Sequence, residues 1–131
     1  MLGLDTNVLI RFLVRDDQPQ YERAQRLINR ALSDGESVLV SQLVLLEAEW
    51  VLRSRYSLAK PEILAAFSAL LETAELVFEA EPAVETALHA WKDSAANFSD
   101  CLIGTRNRSL GCRATSTFDD KALRVAGFSA V

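Results

Sequence analysis

Four acidic residues occupy positions from which their carboxylates could act together on a substrate. Asp5 follows a short apolar stretch, Glu47 lies in the apolar run LVLLEAEWVL, Asp100 follows Ser99, and Asp119 lies in STFDD. Carboxylates brought close together repel one another unless a cation compensates their charge or some are protonated. Their hard oxygen atoms suit Mg²⁺ or Mn²⁺. The residue types therefore suggest a divalent metal site that activates water.

The three aspartates also have structural explanations. Asp5 could cap the helix that follows it, and Asp100 and Asp119 could begin their own helices, because aspartate accepts hydrogen bonds from first-turn amides and complements the helix dipole. Thr6 and Asn7 also cap helices well. We therefore expect Thr6 or Asn7 to cap the first helix, which leaves Asp5 for the metal.

Glu47 is harder to explain as a structural residue. The residues three and four positions from it are all apolar: Leu43, Val44, Trp50 and Val51. On a helix Glu47 is therefore expected to point along an apolar face, where an unpaired carboxylate is costly. Glu49 is expected to face elsewhere, toward solvent. A shifted helix boundary would leave Glu47 exposed instead.

The other residues argue against several chemistries. His89 is the only histidine, so a histidine-based zinc site lacks ligands and a serine triad lacks a placed base. There is no P-loop, GxGxxG or GxSxG motif. Cys101 and Cys112 lack CxxC spacing. We expect them to be free thiols about three turns apart on one helix, with Cys101 in the core.

Length and composition indicate one domain over residues 1–131, since half of the 131 residues are hydrophobic. The net charge of −4 argues weakly against a surface covered with basic patches, but it allows a local basic rim. No signal peptide or membrane-spanning apolar run is visible. Free thiols suit a reducing compartment, so we expect a cytoplasmic protein with no membrane partner.

The elements that position these acids are predicted to alternate between strands and helices. The pattern predicts strands at 1–4, 37–40, 76–78, 114–117 and 128–131, and helices at 8–14, 18–34, 42–56, 60–73, 81–95, 99–111 and 119–125. Such alternation implies an α/β fold, a three-layer α/β/α sandwich with a central, mainly parallel sheet of four to five short strands. Ligands in these folds bind beyond the carboxyl ends of the strands, where Asp5 and Asp119 stand.

Four segments, distributed along nearly the whole chain, resemble a known family. They are LDTNVLIRFLVRDD, SQLVLLEAEWVLRSRYSL, FSDCLIGTRNRSLGC and TSTFDDKALRVAGF. In this order and spacing they are similar to the PIN-domain ribonucleases, specifically the VapC-type toxins of type II toxin–antitoxin systems.

The resemblance implies a Mg²⁺- or Mn²⁺-dependent endoribonuclease with a PIN-like fold. By position in the motifs, the catalytic residues would be Asp5, Glu47, Asp100 and Asp119. The three aspartates would be the chief metal ligands, while Glu47 would orient or deprotonate water, or bind a second ion.

Polar residues beside these acids match supporting positions of the family. Thr6 and Asn7 follow the first aspartate, and Thr117 lies near the fourth. Asp120 adjoins Asp119 and remains the alternative fourth acid.

The resemblance also implies partners, namely an RNA substrate, a cognate antitoxin and a second copy of the chain. Four arginines are candidates for contacts with RNA phosphates: Arg11, Arg15, Arg106 and Arg108. Each can equally be an ordinary solvated charge. The apolar helices at 43–58 and 62–71 could offer the antitoxin a surface, or could simply form the core.

Two other functions compete with the ribonuclease hypothesis. A non-catalytic PIN-like module that binds RNA or protein would tend to lack one of the four acids. A phosphotransferase of the haloacid dehalogenase type also begins with a strand and an aspartate, but it needs a second aspartate where Asn7 stands.

Overall fold

The computed structural model describes residues 1–131, in which strands and helices alternate. The first of two compact units, Met1–Glu79, contains seven elements. They are β1 (Leu2–Gly3), α1 (Thr6–Leu13), α2 (Gln18–Ser33), β2 (Val38–Val40), α3 (Gln42–Ser54), α4 (Lys60–Leu71) and β3 (Leu76–Phe78).

The three strands of this unit form a parallel sheet in the order β1-β2-β3. In the central strand, Leu39 pairs with Gly3 on one side and with Val77 on the other. Val38 and Val40 are fully buried. A short, continuously apolar strand of this kind is typical of a parallel sheet that is covered on its faces.

Helix α2 shows how the sequence sets the bounds of an element. Asp17 caps its start by accepting a hydrogen bond from the Gln20 N–H at 3.0 Å. One face is buried at helical spacing: Tyr21, Ala24, Ile28 and Ala31. The helix ends before Gly35, whose φ of 77° lies in the left-handed region that favours glycine.

The core of the first unit fixes the helices that carry the candidate site. Its largest fully buried side chains come from α1, α3 and α4: Leu9, Leu45, Leu52, Ile63 and Phe67. Burying each one contributes about 1.5–3 kcal/mol. The start of α1 and the exposed side of α3 are therefore held in defined positions.

The second unit, Ala80–Val131, contains five elements. They are α5 (Glu81–Lys92), α6 (Phe98–Ser109), β4 (Thr115–Thr117), a 3₁₀ helix (Ala122–Arg124) and β5 (Phe128–Ala130). Trp91 of α5 packs on Phe98 of α6 with ring centroids 5.2 Å apart. Strands β4 and β5 pair in parallel, with Thr115 opposite Phe128.

The predicted α/β class with parallel strands is confirmed. Hydrogen bonds join the five strands as sheets of three and two, rather than as one ladder. The strands are only two or three residues long, so each ladder contains few bonds. The helix predicted at 119–125 is reduced to a 3₁₀ turn. The single domain over residues 1–131 stays a prediction. None of the helices has the length and apolar composition needed to cross a membrane.

Candidate active site

Asp5 lies between β1 and α1 and is itself the cap of that helix. Its Oδ1 accepts a hydrogen bond from the Thr6 N–H at 2.8 Å. The prediction that Thr6 or Asn7 caps the helix is wrong, because the helix already begins at Thr6, whose side chain is buried. Since the cap uses only Oδ1, the second oxygen of Asp5 has no hydrogen-bond partner in the structure. Capping and ligand binding are therefore compatible at this residue.

Glu47 lies in the middle of α3, and its side chain is exposed. The apolar face around it is exposed as well, since Leu43 is 77% and Trp50 is 50% accessible to solvent. Glu47 is therefore not an unpaired carboxylate on a buried face, as the apolar residues around it had indicated. What remains is an exposed acid within an exposed apolar surface.

Glu49 was expected to face solvent, and this expectation is wrong. It is only 5% exposed, and its Oε1 accepts a hydrogen bond from Arg53 Nε at 2.9 Å. A glutamate followed four residues later by an arginine is the helical spacing of an ion pair, so the signal was present in the sequence.

Asp5 and Glu47 line the same cavity, which has a volume of about 310 Å³. Asn7 lies beside Asp5, and Trp50 and Tyr56 supply aromatic walls. Arg11 and Arg55 also line the cavity. The site thus combines two carboxylates with cationic and aromatic groups, a set that suits a charged ligand with flat rings.

Arg11 takes part in a polar network that joins α1 to α2 and to the segment that follows α3. Its Nη1 donates to Asp16 Oδ1 at 2.8 Å and to the Tyr56 hydroxyl at 3.1 Å. Its Nε donates to Gln20. The pKa of Arg11 is raised, chiefly by the hydrogen bond with Tyr56; desolvation opposes this, and the charge of Asp16 adds a smaller increase. Much of its donor capacity is therefore used inside the protein.

The other three arginines with a predicted RNA contact differ in whether their side chains already have partners within the protein. Arg15 lies over the ring of Tyr21, with its guanidinium carbon 4.2 Å from the ring centroid. Arg108 donates from Nη2 to the Ala126 carbonyl at 2.9 Å. Arg106 is exposed and makes no side-chain hydrogen bond. Arg106 is thus the freest of the four, and RNA binding by any of them stays a prediction.

Asp100 and Asp119 both lie in the second unit and accept backbone hydrogen bonds. Asp100, in the first turn of α6, accepts the Asn97 N–H on Oδ2 at 3.3 Å. Asp119 follows β4 and accepts the Lys121 N–H on Oδ1 at 2.8 Å. Its own N–H donates to Thr117 Oγ1 at 3.0 Å, so Thr117 does hold the Asp119 backbone. Each aspartate keeps one carboxylate oxygen without a hydrogen bond in the structure.

The structure contains no group of three or more His, Cys, Asp or Glu side chains that could hold a metal ion. Magnesium, however, is often bound through one or two carboxylates together with waters and substrate phosphates. The cavity lined by Asp5 and Glu47 fits that kind of binding, whereas a closed protein cage is not present. A shared metal site that includes Asp100 and Asp119 stays a prediction.

The cysteines and the histidine form no site of their own. Cys101 is buried and Cys112 is exposed, and both are free thiols, as expected. The expectation that they share one helix is wrong, because α6 ends at Ser109, before Cys112. His89 is exposed on α5, with Nε2 3.3 Å from an Asp93 carboxylate oxygen.

Three comparisons each found a family or protein to which the chain is similar. The model of the PIN domain family matches residues 3–128. A VapC ribonuclease of Aquifex aeolicus is 23% identical over 128 residues, which are 98% of this chain and 93% of the relative. Among solved structures, the Mycobacterium tuberculosis VapC20, a toxin that cleaves the sarcin–ricin loop, is 20% identical with a TM-score of 0.42, over 98% of this chain and 97% of that one.

Proposed function

The chain belongs to the PIN-domain family, and on this premise we propose that it is a divalent-metal-dependent endoribonuclease, the toxin of a type II toxin–antitoxin pair. The observation that carries the proposal is the single cavity lined by Asp5 and Glu47. Similarity to a VapC ribonuclease along nearly the full length of both chains supports the reaction class.

In this proposal Asp5 would be a ligand of the cation, since the helix cap uses only one of its carboxylate oxygens. The hydrogen bond from the Thr6 N–H restrains the carboxylate and so would orient it as a ligand. Asp100 and Asp119 are included as further ligands on their order in the sequence alone. A bound Mg²⁺ or Mn²⁺ would lower the pKa of a water molecule and neutralise charge on the phosphate.

Glu47 is proposed to orient the attacking water and to accept its proton. An exposed carboxylate on the cavity wall can do this without first breaking an ion pair, because the structure gives Glu47 none. The water attacks phosphorus in line with the leaving O3′. As the P–O3′ bond breaks, O3′ takes a proton from solvent and Glu47 releases to solvent the proton that it accepted, so the products carry a 5′-phosphate and a 3′-hydroxyl.

Two cavity residues are proposed to position the RNA. Trp50 is half-exposed and could stack on a nucleobase, an interaction that tolerates different sequences. Asn7 offers amide groups beside Asp5 and could steady either the carboxylate or the phosphate.

We propose that a cognate antitoxin covers this site and that the chain forms homodimers. Support for the antitoxin comes from the exposed apolar surface of α3 around Glu47, to which Leu43 and Trp50 contribute. Such a surface beside a catalytic acid is suited to a partner that hides both at once.

The test is cleavage of total RNA by the purified protein in Mg²⁺ or in EDTA, beside an Asp5→Asn variant. We expect fragments only with Mg²⁺, and a rate at least about 100-fold lower for the variant, because it loses transition-state stabilisation at the phosphate. Asp34→Asn, which changes an exposed aspartate outside the cavity, is the matched control. Equal cleavage by Asp5→Asn, or in EDTA, would remove the metal mechanism.

A second candidate is a non-catalytic module that binds RNA or protein. The exposed apolar surface of α3, to which Leu43 and Trp50 contribute and which suits a binding partner, favours it. Binding of RNA without cleavage at any Mg²⁺ or Mn²⁺ concentration would establish that alternative.

A further inference from the structure

We infer that the exposed side of α2 is a docking surface for the RNA backbone, an inference that rests on the proposed RNA-cleaving function. This surface, the arginine face, consists of Arg23, Arg26 and Arg30. All three side chains are exposed. They lie outside the residues assigned above to catalysis and RNA binding.

The spacing of the three arginines places them on one side of the helix. Steps of three and four residues keep side chains in line along an α-helix. The opposite side of α2 is the one that is buried, through Tyr21 and Ile28 among others. The arginine face is therefore presented to solvent by the packing of the helix, not by a mobile loop.

No carboxylate neutralises the arginine face. Glu22, one turn before Arg26, instead accepts a hydrogen bond from Gln18 at 3.3 Å. Asp34, four residues after Arg30, forms no ion pair with it. Like charges at this helical spacing destabilise a helix, and a polyanion on the surface would relieve that repulsion.

Two surface depressions join the arginine face to the candidate active site within the first unit. One, of about 540 Å³, shares Asn7 and Arg11 with the cavity that holds Asp5. It shares Arg23 and Leu27 with a second depression of about 550 Å³, which extends to Arg30. A ligand strand could therefore follow an unbroken run of lining residues from the carboxylates to the end of α2.

The chemistry of this path fits phosphate better than a peptide. Guanidinium groups bind phosphate oxygens in a bidentate way. From Arg23 to Arg30 the helix rises about 10 Å, about the rise of three stacked nucleotides. Leu27, which is 43% exposed, is the one exposed large apolar side chain between them. A peptide groove would need several apolar anchors.

The test is RNA binding by the triple variant Arg23→Gln, Arg26→Gln, Arg30→Gln, made in the Asp5→Asn protein so that RNA stays intact. The probe is a fluorescently labelled RNA of randomised sequence, followed by anisotropy over a range of KCl concentrations. Each phosphate contact on a single strand contributes about 0.7 to the slope of log K against log salt. We expect at least about tenfold weaker binding and a slope shallower by about 2.

The matched control removes the same charge elsewhere, in Lys92→Gln, Arg113→Gln, Arg124→Gln. We expect it to bind RNA within about twofold of its Asp5→Asn parent, as ordinary solvated charges allow. Glutamine is a good helix former, so α2 is retained, and thermal melting checks this. Equal affinity and equal salt slope in the two triple variants would overturn the inference.

The outcomes also separate this inference from the proposed function. If the unmodified chain cuts RNA, and the same three arginine substitutions made without Asp5→Asn leave kcat/KM unchanged, only the inference fails. If the unmodified chain neither binds nor cuts RNA, both fail. Loss of binding to a polyglutamate peptide with RNA binding unchanged would assign the face to an acidic protein partner and overturn its role in RNA binding.

Discussion

Asp5 and Glu47 line one cavity from two different helices, Asp5 from the start of α1 and Glu47 from the middle of α3. Their surroundings differ. One oxygen of Asp5 is held by the Thr6 N–H, whereas Glu47 is exposed and has no partner. A fixed carboxylate suits a metal ligand, and an unconstrained one suits a group that moves a proton.

Two substitutions of Asp5 should distinguish its contribution to helix capping from its contribution to RNA cleavage. In Asp5→Asn the amide oxygen can still accept the Thr6 N–H, so the free energy of unfolding should stay within a few tenths of a kcal/mol. Asp5→Ala removes the cap and should lower the free energy of unfolding by about 1 kcal/mol. Both variants should lose RNA cleavage. Urea unfolding and cleavage rates measured on the same preparations check this, and an active Asp5→Ala would contradict it.

Glu47 should matter for RNA cleavage and not for stability, and Glu49 should matter for stability and not for cleavage. Glu47→Gln should slow RNA cleavage by about 100-fold or more, which is typical of a lost general base, and leave the stability unchanged. Glu49→Gln weakens the bond to Arg53 and should lower the free energy of unfolding by about 1 kcal/mol, with cleavage retained. Single-turnover kinetics and urea unfolding distinguish them. A fully active Glu47→Gln would remove Glu47 from the mechanism.

The aromatic ring of Trp50 should contribute to RNA binding and not to the stability of the fold. Because it is half-exposed, Trp50→Ala should leave the melting temperature nearly unchanged. RNA binding should weaken by about fivefold or more, since stacking of one base is worth about 1–3 kcal/mol. Trp50→Phe should recover most of the affinity. Anisotropy titrations in the Asp5→Asn background measure this, and equal affinities for the Ala and Phe variants would exclude stacking.

Arg106 and Arg108 should differ although they lie two residues apart on α6. Arg108 binds the Ala126 carbonyl, so Arg108→Gln should lower the free energy of unfolding by about 0.5–1 kcal/mol. Arg106→Gln should not change stability, and it should weaken RNA binding and reduce its salt dependence. Unfolding and anisotropy titrations test the pair. A loss of RNA affinity only in Arg108→Gln would reverse the assignment.

Much of the fold could be predicted because local signals agree with the tertiary structure. The Gln18-Pro19 start and the Gly35 end of α2 are strong local signals, and the structure follows both. The apolar strand at Leu76–Phe78 was predicted at its observed bounds. Membership of the PIN-domain family, which the resemblance indicated, is also confirmed.

The environments of single side chains were less predictable. Whether Glu47 or Glu49 is buried depends on how α3 is rotated in the unit, and apolar residues surround both in the sequence. The bond of Arg108 to Ala126 depends on a tertiary contact that no local pattern encodes. The arginines of α2 were missed because they lie outside the segments that carry the family resemblance, although their spacing was visible.

The chemical ends of the cleaved RNA test the central claim most directly. RNA cut by the unmodified chain in Mg²⁺ should carry 5′-phosphates and 3′-hydroxyls, because a metal-activated water attacks the phosphorus. Labelling with and without prior phosphatase treatment distinguishes these ends. Fragments with 5′-hydroxyls and 2′,3′-cyclic phosphates, which arise when the ribose hydroxyl attacks, would contradict the account, as would the same fragments appearing in EDTA.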